Sequence, residues 1–138
     1  METSELMATG MIRNYDYDTE ADVLEVDFGP RRPAWTVELT DNILLSIDRT
    51  TEQPVSLTLL DYSVMIQPGP FGSLSFPLHG LDPLPASERS LVLTILTHPP
   101  VSTWLSLSSV ELLPTSPLPI VQVAYVPADL KHLLPVAA

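Results

Sequence analysis

The stretch Asn14–Phe28, NYDYDTEADVLEVDF, sets six carboxylates within fifteen residues: Asp16, Asp18, Glu20, Asp22, Glu25 and Asp27. Acids at alternate positions have two chemical uses. They can hold a hard divalent cation in a loop of oxygen ligands, or work as a general acid/base pair. A calcium loop needs a glycine at its sharp turn and a long bidentate glutamate at its end. Asp16, Asp18, Glu20 and Asp22 fit the alternating ligand positions, but Ala21 stands in the glycine's place and Asp27 in the glutamate's. The flanking residues also alternate as strands, whereas that loop sits between helices. Acid/base work needs one carboxyl drawn out of water so that its pKa rises, and these acids have polar neighbours. The run therefore reads as a solvated turn followed by the charged outer side of a strand.

Other catalytic constellations are missing. His79, His98 and His132 are widely separated and lack zinc-signature spacing, and THPPV makes His98 a surface turn residue. No nucleophile elbow, phosphate loop or dinucleotide fingerprint occurs. Ser108 and Ser109 continue the polar side of a strand, and Trp35 and Trp104 read as strand residues packing in the core or at its rim. Without cysteine, neither a disulfide nor a thiolate metal site is available. The sequence thus gives no catalytic, cofactor-binding or metal-ligating residue, and no cofactor. Its reading on enzymatic activity leans to none.

The net charge of −11 excludes further classes. Nucleic-acid binding calls for a basic stripe, and only six lysines and arginines are present. An anionic membrane surface is equally unsuitable, and no apolar run approaches the roughly 20 residues of a membrane helix. METSELMATG lacks the basic and apolar regions of a signal peptide, so the expected location is cytoplasmic. A basic protein partner remains compatible with the charge.

The elements that must carry these acids are strands. Leu24, Val26 and Phe28 alternate with Glu25 and Asp27; Trp35, Val37 and Leu39 with Thr36, Glu38 and Thr40. Ile43, Leu45 and Ile47 repeat the pattern, as do Val55, Leu57 and Leu59. Period-two alternation of this kind predicts an antiparallel meander with one wet face. Met11–Tyr17 is expected to pair with Val23–Phe28 across the turn DTEAD.

The composition divides the chain. Residues 1–66 hold thirteen acids and four arginines, while twelve of the fifteen prolines follow Ile66. The expected organisation is a flexible N-terminus (1–10), a β meander (11–66), a Pro/Gly-rich connector with one short strand at Ser73–Phe76 (67–89), and further strands with a short helix (90–138), sharing one core. SLVLTILT, STWLSLSSVELL and PIVQVAYV are expected as strands, and PADLKHLL as one or two helical turns. ILLSIDRTTEQPVSLTLLDYS and LVLTILTHPPVSTWLSLSSVE both read as strand, proline-containing turn and strand, which raises an internal repeat. The fold class is mainly β: an antiparallel meander packed as a sandwich or partly open barrel, with a short C-terminal helix.

Tyr17–Phe28, YDTEADVLEVDF, resembles the amino-terminal signature of the DUF2283 family of small β domains. The resemblance continues through TVELTDNILLSIDRTTEQPVSLTLLDYS, where Asp48 and Leu60-Asp61 match later landmarks, and covers about residues 11–63. It implies a small β domain of unknown function. The family pattern carries a glycine in the later turn, where this chain has TTEQP.

These readings converge on a non-catalytic interaction or accessory module. Its candidate surface comprises Asp18, Glu20, Asp22, Glu25, Asp27 and Glu38, facing a basic protein partner, with a homo-oligomer also compatible with the strand edges. One alternative is an antitoxin-like inhibitor of a basic RNase-type toxin. A second is a small-molecule or enzymatic site between the two halves.

Overall fold

Alternation along the front half is translated into one antiparallel sheet. The computed structural model describes residues 14–69, 72–113 and 116–134, so the expected N-terminal segment and Met11–Arg13 lie outside the described residues. Strands β1 (Tyr15–Asp18), β2 (Val23–Asp27), β3 (Trp35–Thr40), β4 (Ile43–Asp48) and β5 (Gln53–Leu60) assemble in the order β1-β2-β5-β4-β3. Every adjacent pair is antiparallel. Leu24, Val26, Val37, Leu39, Ile43, Leu45, Ile47, Leu57 and Leu59 are buried on one face. A one-residue slip would turn all of them to water, so the pattern fixes the register. Val55 departs from its expected place. A register shift between Ser46 and Ile47 interrupts the β4–β5 ladder, and Val55 is buried outside the main core, on the opposite side of the sheet.

Two aspartates build two hairpin turns to the same plan. Asp18 accepts the backbone N–H groups of Glu20 and Ala21, while the N–H of Asp22 donates to the Asp18 carbonyl. Asp48 accepts from Thr50 and Thr51, and Glu52 donates to the Asp48 carbonyl. Each turn closes on a left-handed residue, Asp22 at φ 59° and Glu52 at φ 59°. Glycine enters that region without steric cost, whereas the exposed Glu52 side chain makes no hydrogen bond among the described residues of the kind Asp22 makes. Glu52→Gly is expected to raise stability by about 0.5–1 kcal/mol. A higher urea midpoint at unchanged m-value checks this; a lower midpoint would show that Glu52 contributes something the turn geometry does not explain.

The remaining elements cover the apolar face. They are α1 (Tyr62–Met65), β6 (Pro68–Gly69), β7 (Gly72–Ser73), β8 (Phe76–Pro77), a 3-10 turn (His79–Leu81), α2 (Ala86–Leu96), α3 (Val101–Trp104), β9 (Leu105–Leu113), β10 (Ser116–Val123) and a second 3-10 segment (Ala128–Leu133). β8, β10 and β9 form a three-stranded antiparallel sheet, and β6 pairs with β7. Leu78, Leu81, Val92, Ile95, Leu96, Val101, Trp104, Leu105, Val121 and Leu130 join the strand residues in one hydrophobic cluster. The molecule is mainly β, with antiparallel sheets, short helices and no closed barrel.

Three expectations for the back half are corrected. Ser90–Thr97 is no strand; most of it belongs to α2, which buries Val92, Ile95 and Leu96 at helical spacing. Trp104 ends α3 and lies outside any strand. The internal repeat fails as well, because the first segment folds as strand, turn and strand and the second as helix, turn, short helix and strand. In the connector, the expected strand at Ser73–Phe76 is divided between β7 and β8. Its 3-10 turn packs against the backbone of β3, where Gly80 leaves no room for a Cβ.

All four tyrosines gather with one tryptophan at the β1 side of the core. Trp104 meets Tyr15 edge-on at 5.9 Å between ring centroids and Tyr125 at 5.0 Å, while Tyr17 lies 5.7 Å from Tyr62. Such edge and tilted contacts suit the ring quadrupoles. The Tyr15 hydroxyl donates to Asp129, tying β1 to the last 3-10 segment. The Tyr62 ring is fully buried; its hydroxyl has no hydrogen-bond partner among the described residues, and burial holds its pKa above the ordinary tyrosine value.

Candidate functional site

The outer face of the five-stranded sheet is built from the polar members of the alternation. The ladder registers align Asp16, Glu25, Thr58, Leu44 and Glu38 in one cross-strand row. Asp27, Ser56, Ser46 and Thr36 form the next. The hydroxyls of Thr36 and Ser46 are hydrogen-bonded at 2.9 Å, which sets the floor at the β3 side. Glu25 and Glu38 stand three strand spacings apart in one row, roughly 14 Å.

An open trough of about 580 Å³ lies on this face. Glu25 and Asp27 edge it on β2; Ser46, Ser56, Thr36 and Thr58 line its floor, with Leu44 and Val55 as the apolar parts. The loop after β2 overhangs it with two neighbouring arginines. Arg32 is bolted down: its Nε donates to the Asp48 carboxylate at 2.7 Å, and both side chains are largely shielded. Hydrogen bonds from the Thr50 and Thr51 backbone, then the Arg32 contact, hold the Asp48 pKa below the ordinary aspartate value. Arg31 instead extends into solvent, its side chain 84% exposed, and approaches Glu25 only to 3.8 Å. Arg49 lies over the Trp35 ring, 4.2 Å from its centroid, and also contacts Glu88 of α2.

The six sequence-derived surface acids divide by what their carboxylates do. Glu25 and Asp27 are brought together at the trough. Glu38 shares the face at the opposite edge and is exposed. Glu20 is exposed at the β1–β2 turn, where the Asp18 carboxylate is committed to backbone N–H groups. Asp22 is half-buried and accepts three hydrogen bonds, from the Tyr17 hydroxyl at 2.6 Å, the Ser63 N–H at 3.0 Å and the Ser63 hydroxyl at 2.7 Å. Burial opposes its ionisation, but the Tyr17 and Ser63 hydrogen bonds outweigh that and lower its pKa. The same contact works in reverse on Tyr17, whose pKa burial and Asp22 push up to about 12.

The sequence did not distinguish Arg31 from Arg32, and it gave no place to Asp16 or to the hydroxyl rows. Alternation already places Ser46, Ser56 and Thr58 on the same outward side as the acids, but by itself gives them no part in a site. Among the described residues, no three histidine or acidic side chains converge as a metal site, and no charged side chain is buried. His79, His98 and His132 are exposed on separate elements. The arrangement can bind through charge and hydrogen bonding. No described helix is long and apolar enough to cross a membrane. No family model, curated protein or solved structure matches the chain.

Proposed function

We propose that this protein is a non-catalytic interaction module that meets a basic protein partner with the outer face of its five-stranded sheet. The observation that carries this reading is the division among its acids. Asp18, Asp22 and Asp48 are occupied by turn and capping hydrogen bonds, whereas Glu25, Asp27, Glu38 and Asp16 stand on one wet face beside rows of hydroxyls. Complementary charge on a partner would steer encounter and fix orientation, with the hydroxyls supplying directional hydrogen bonds. The DUF2283 resemblance of residues 11–63 is compatible with this reading, because it implies a small β domain of unknown function.

The test begins with a native pull-down and purification of what co-purifies. Replacing Glu25, Asp27 and Glu38 together by lysine is expected to weaken the purified partner's affinity about 100-fold at low salt, with the circular dichroism spectrum preserved. Equal affinity for the two proteins would remove the acidic face from the interaction.

A further inference from the structure

We infer that the trough is a receptor for an arginine side chain of the partner, and that Arg31 is an internal competitor for it. This rests on the interaction reading above and adds the chemistry of the group bound. A guanidinium is planar, permanently charged and carries five donors in a fixed fork. The trough offers it two carboxylates, Glu25 and Asp27, two residues apart on one strand and therefore on the same face. The hydroxyls of Ser56 and Thr58 lie opposite those acids in the ladder, available as further acceptors. Leu44 and Val55 give the aliphatic stem an apolar surface, which suits a side chain that buries its methylenes and keeps its charge hydrated. A lysine would place one compact charge there and leave acceptors unused.

The adjacent arginines explain how the site is kept. Arg32 fixes the overhanging loop to Asp48, so Arg31 is held at the rim whatever its side chain does. From that position it reaches Glu25 at 3.8 Å, longer than a hydrogen bond, with most of its side chain in solvent. An exposed pair of this kind is weak and readily exchanged. Arg31 therefore supplies a cation of the same chemistry as the partner's, close enough to neutralise Glu25 in part and loose enough to be displaced.

Removing the competitor should strengthen binding. The probes are an arginine nonapeptide and a lysine nonapeptide of equal charge, titrated against the full chain at low salt. Arg31→Ala and Arg31→Gln are each expected to bind the arginine peptide about threefold more tightly than the original protein. The arginine peptide should bind more tightly than the lysine peptide, and it should shift the amide resonances of Glu25, Asp27, Ser56 and Thr58. Unchanged or weaker binding by the Arg31 variants would overturn the competitor role, and equal affinity for the two peptides would overturn the arginine preference. Either failure leaves the charge-reversal result intact if the acidic face is the true interface. A failure of charge reversal would instead remove the interaction reading itself.

Discussion

Gly80→Ala is expected to be the most damaging conservative substitution in this protein, costing about 3–4 kcal/mol and lowering the melting temperature by roughly 10–15 °C. An ideal Cβ at this position would lie 1.7 Å from the Glu38 carbonyl oxygen, 2.7 Å from its carbon and 3.0 Å from the Leu39 Cα. All three are backbone atoms of β3, so no rotamer change relieves the clash. The 3-10 turn must lift off the strand, and its neighbours follow: Leu78 and Leu81, 1% and 2% exposed, are the residues that anchor the turn in the core. The damage also reaches the proposed interface, because Glu38 sits on the strand segment that Gly80 touches. Lifting the turn uncovers a strand edge, which invites pairing with another chain. Thermal and urea unfolding with His79→Ala as the exposed control separates these effects. A Gly80→Ala melting temperature within 2 °C of the control, taken as roughly the effect of a surface change, would mean that the turn does not rest on β3.

The front half was legible because each strand has one wet face. Leu24, Val26, Leu57 and Leu59 could only be buried together if Glu25, Thr58 and their neighbours stayed in water, and that set the sidedness of the strands, with Val55 at the register shift the exception. The turns were legible for a similar reason, since aspartate followed by polar residues offers a carboxylate to the next backbone N–H groups. The back half gave less. In SLVLTILT nearly every position is apolar, β-branched or both, so the helical spacing of Val92, Ile95 and Leu96 is masked by Leu91 and Leu93. A start signal was nonetheless present in PASE, with Pro85 in extended conformation ahead of the helix and Glu88 in its first turn.

The site was legible only as a face. Glu25, Asp27 and Glu38 follow from alternation, but the trough depends on where the loop after β2 comes to rest. That position is set by Arg32 and Asp48, sixteen residues apart. Nothing in the pair Arg31-Arg32 says which one is fixed. Gly80 is equally opaque in sequence, where HGLD reads as an ordinary turn and the strand residues it approaches, Glu38 and Leu39, lie far earlier in the chain.

Asp22 belongs to the candidate acidic surface expected from the sequence, and its surroundings give it a different task with a testable energy. Its carbonyl accepts the Tyr62 N–H, and its carboxylate accepts the Ser63 N–H, while the Asp61 carbonyl takes the next two, from Val64 and Met65. Asp22 thus caps α1 from a turn forty-one residues away in sequence, serving half of the four N–H groups that a helix start leaves without partners. It does so at φ 59°, a conformation that aspartate and asparagine tolerate better than alanine. Asp22→Ala removes the carboxylate from Tyr17 and Ser63 and adds backbone strain, with an expected loss of about 3 kcal/mol at neutral pH. Asp22→Asn keeps an acceptor and the backbone preference, and should lose only about 1 kcal/mol. The pH dependence identifies the charge as the source. Because the folded pKa is lowered from the ordinary aspartate range, the carboxylate stabilises the fold fully above about pH 4 and loses that contribution as pH falls through the folded value. The gap between the original protein and Asp22→Asn, measured by urea unfolding from pH 7 down to pH 2.5, should therefore narrow below about pH 4. Asp48 carries the same sign, so acid still destabilises the variant, but more gently than the original protein. A gap that persists unchanged into strong acid would show that the ionised carboxylate is not what holds α1 against the β1–β2 turn.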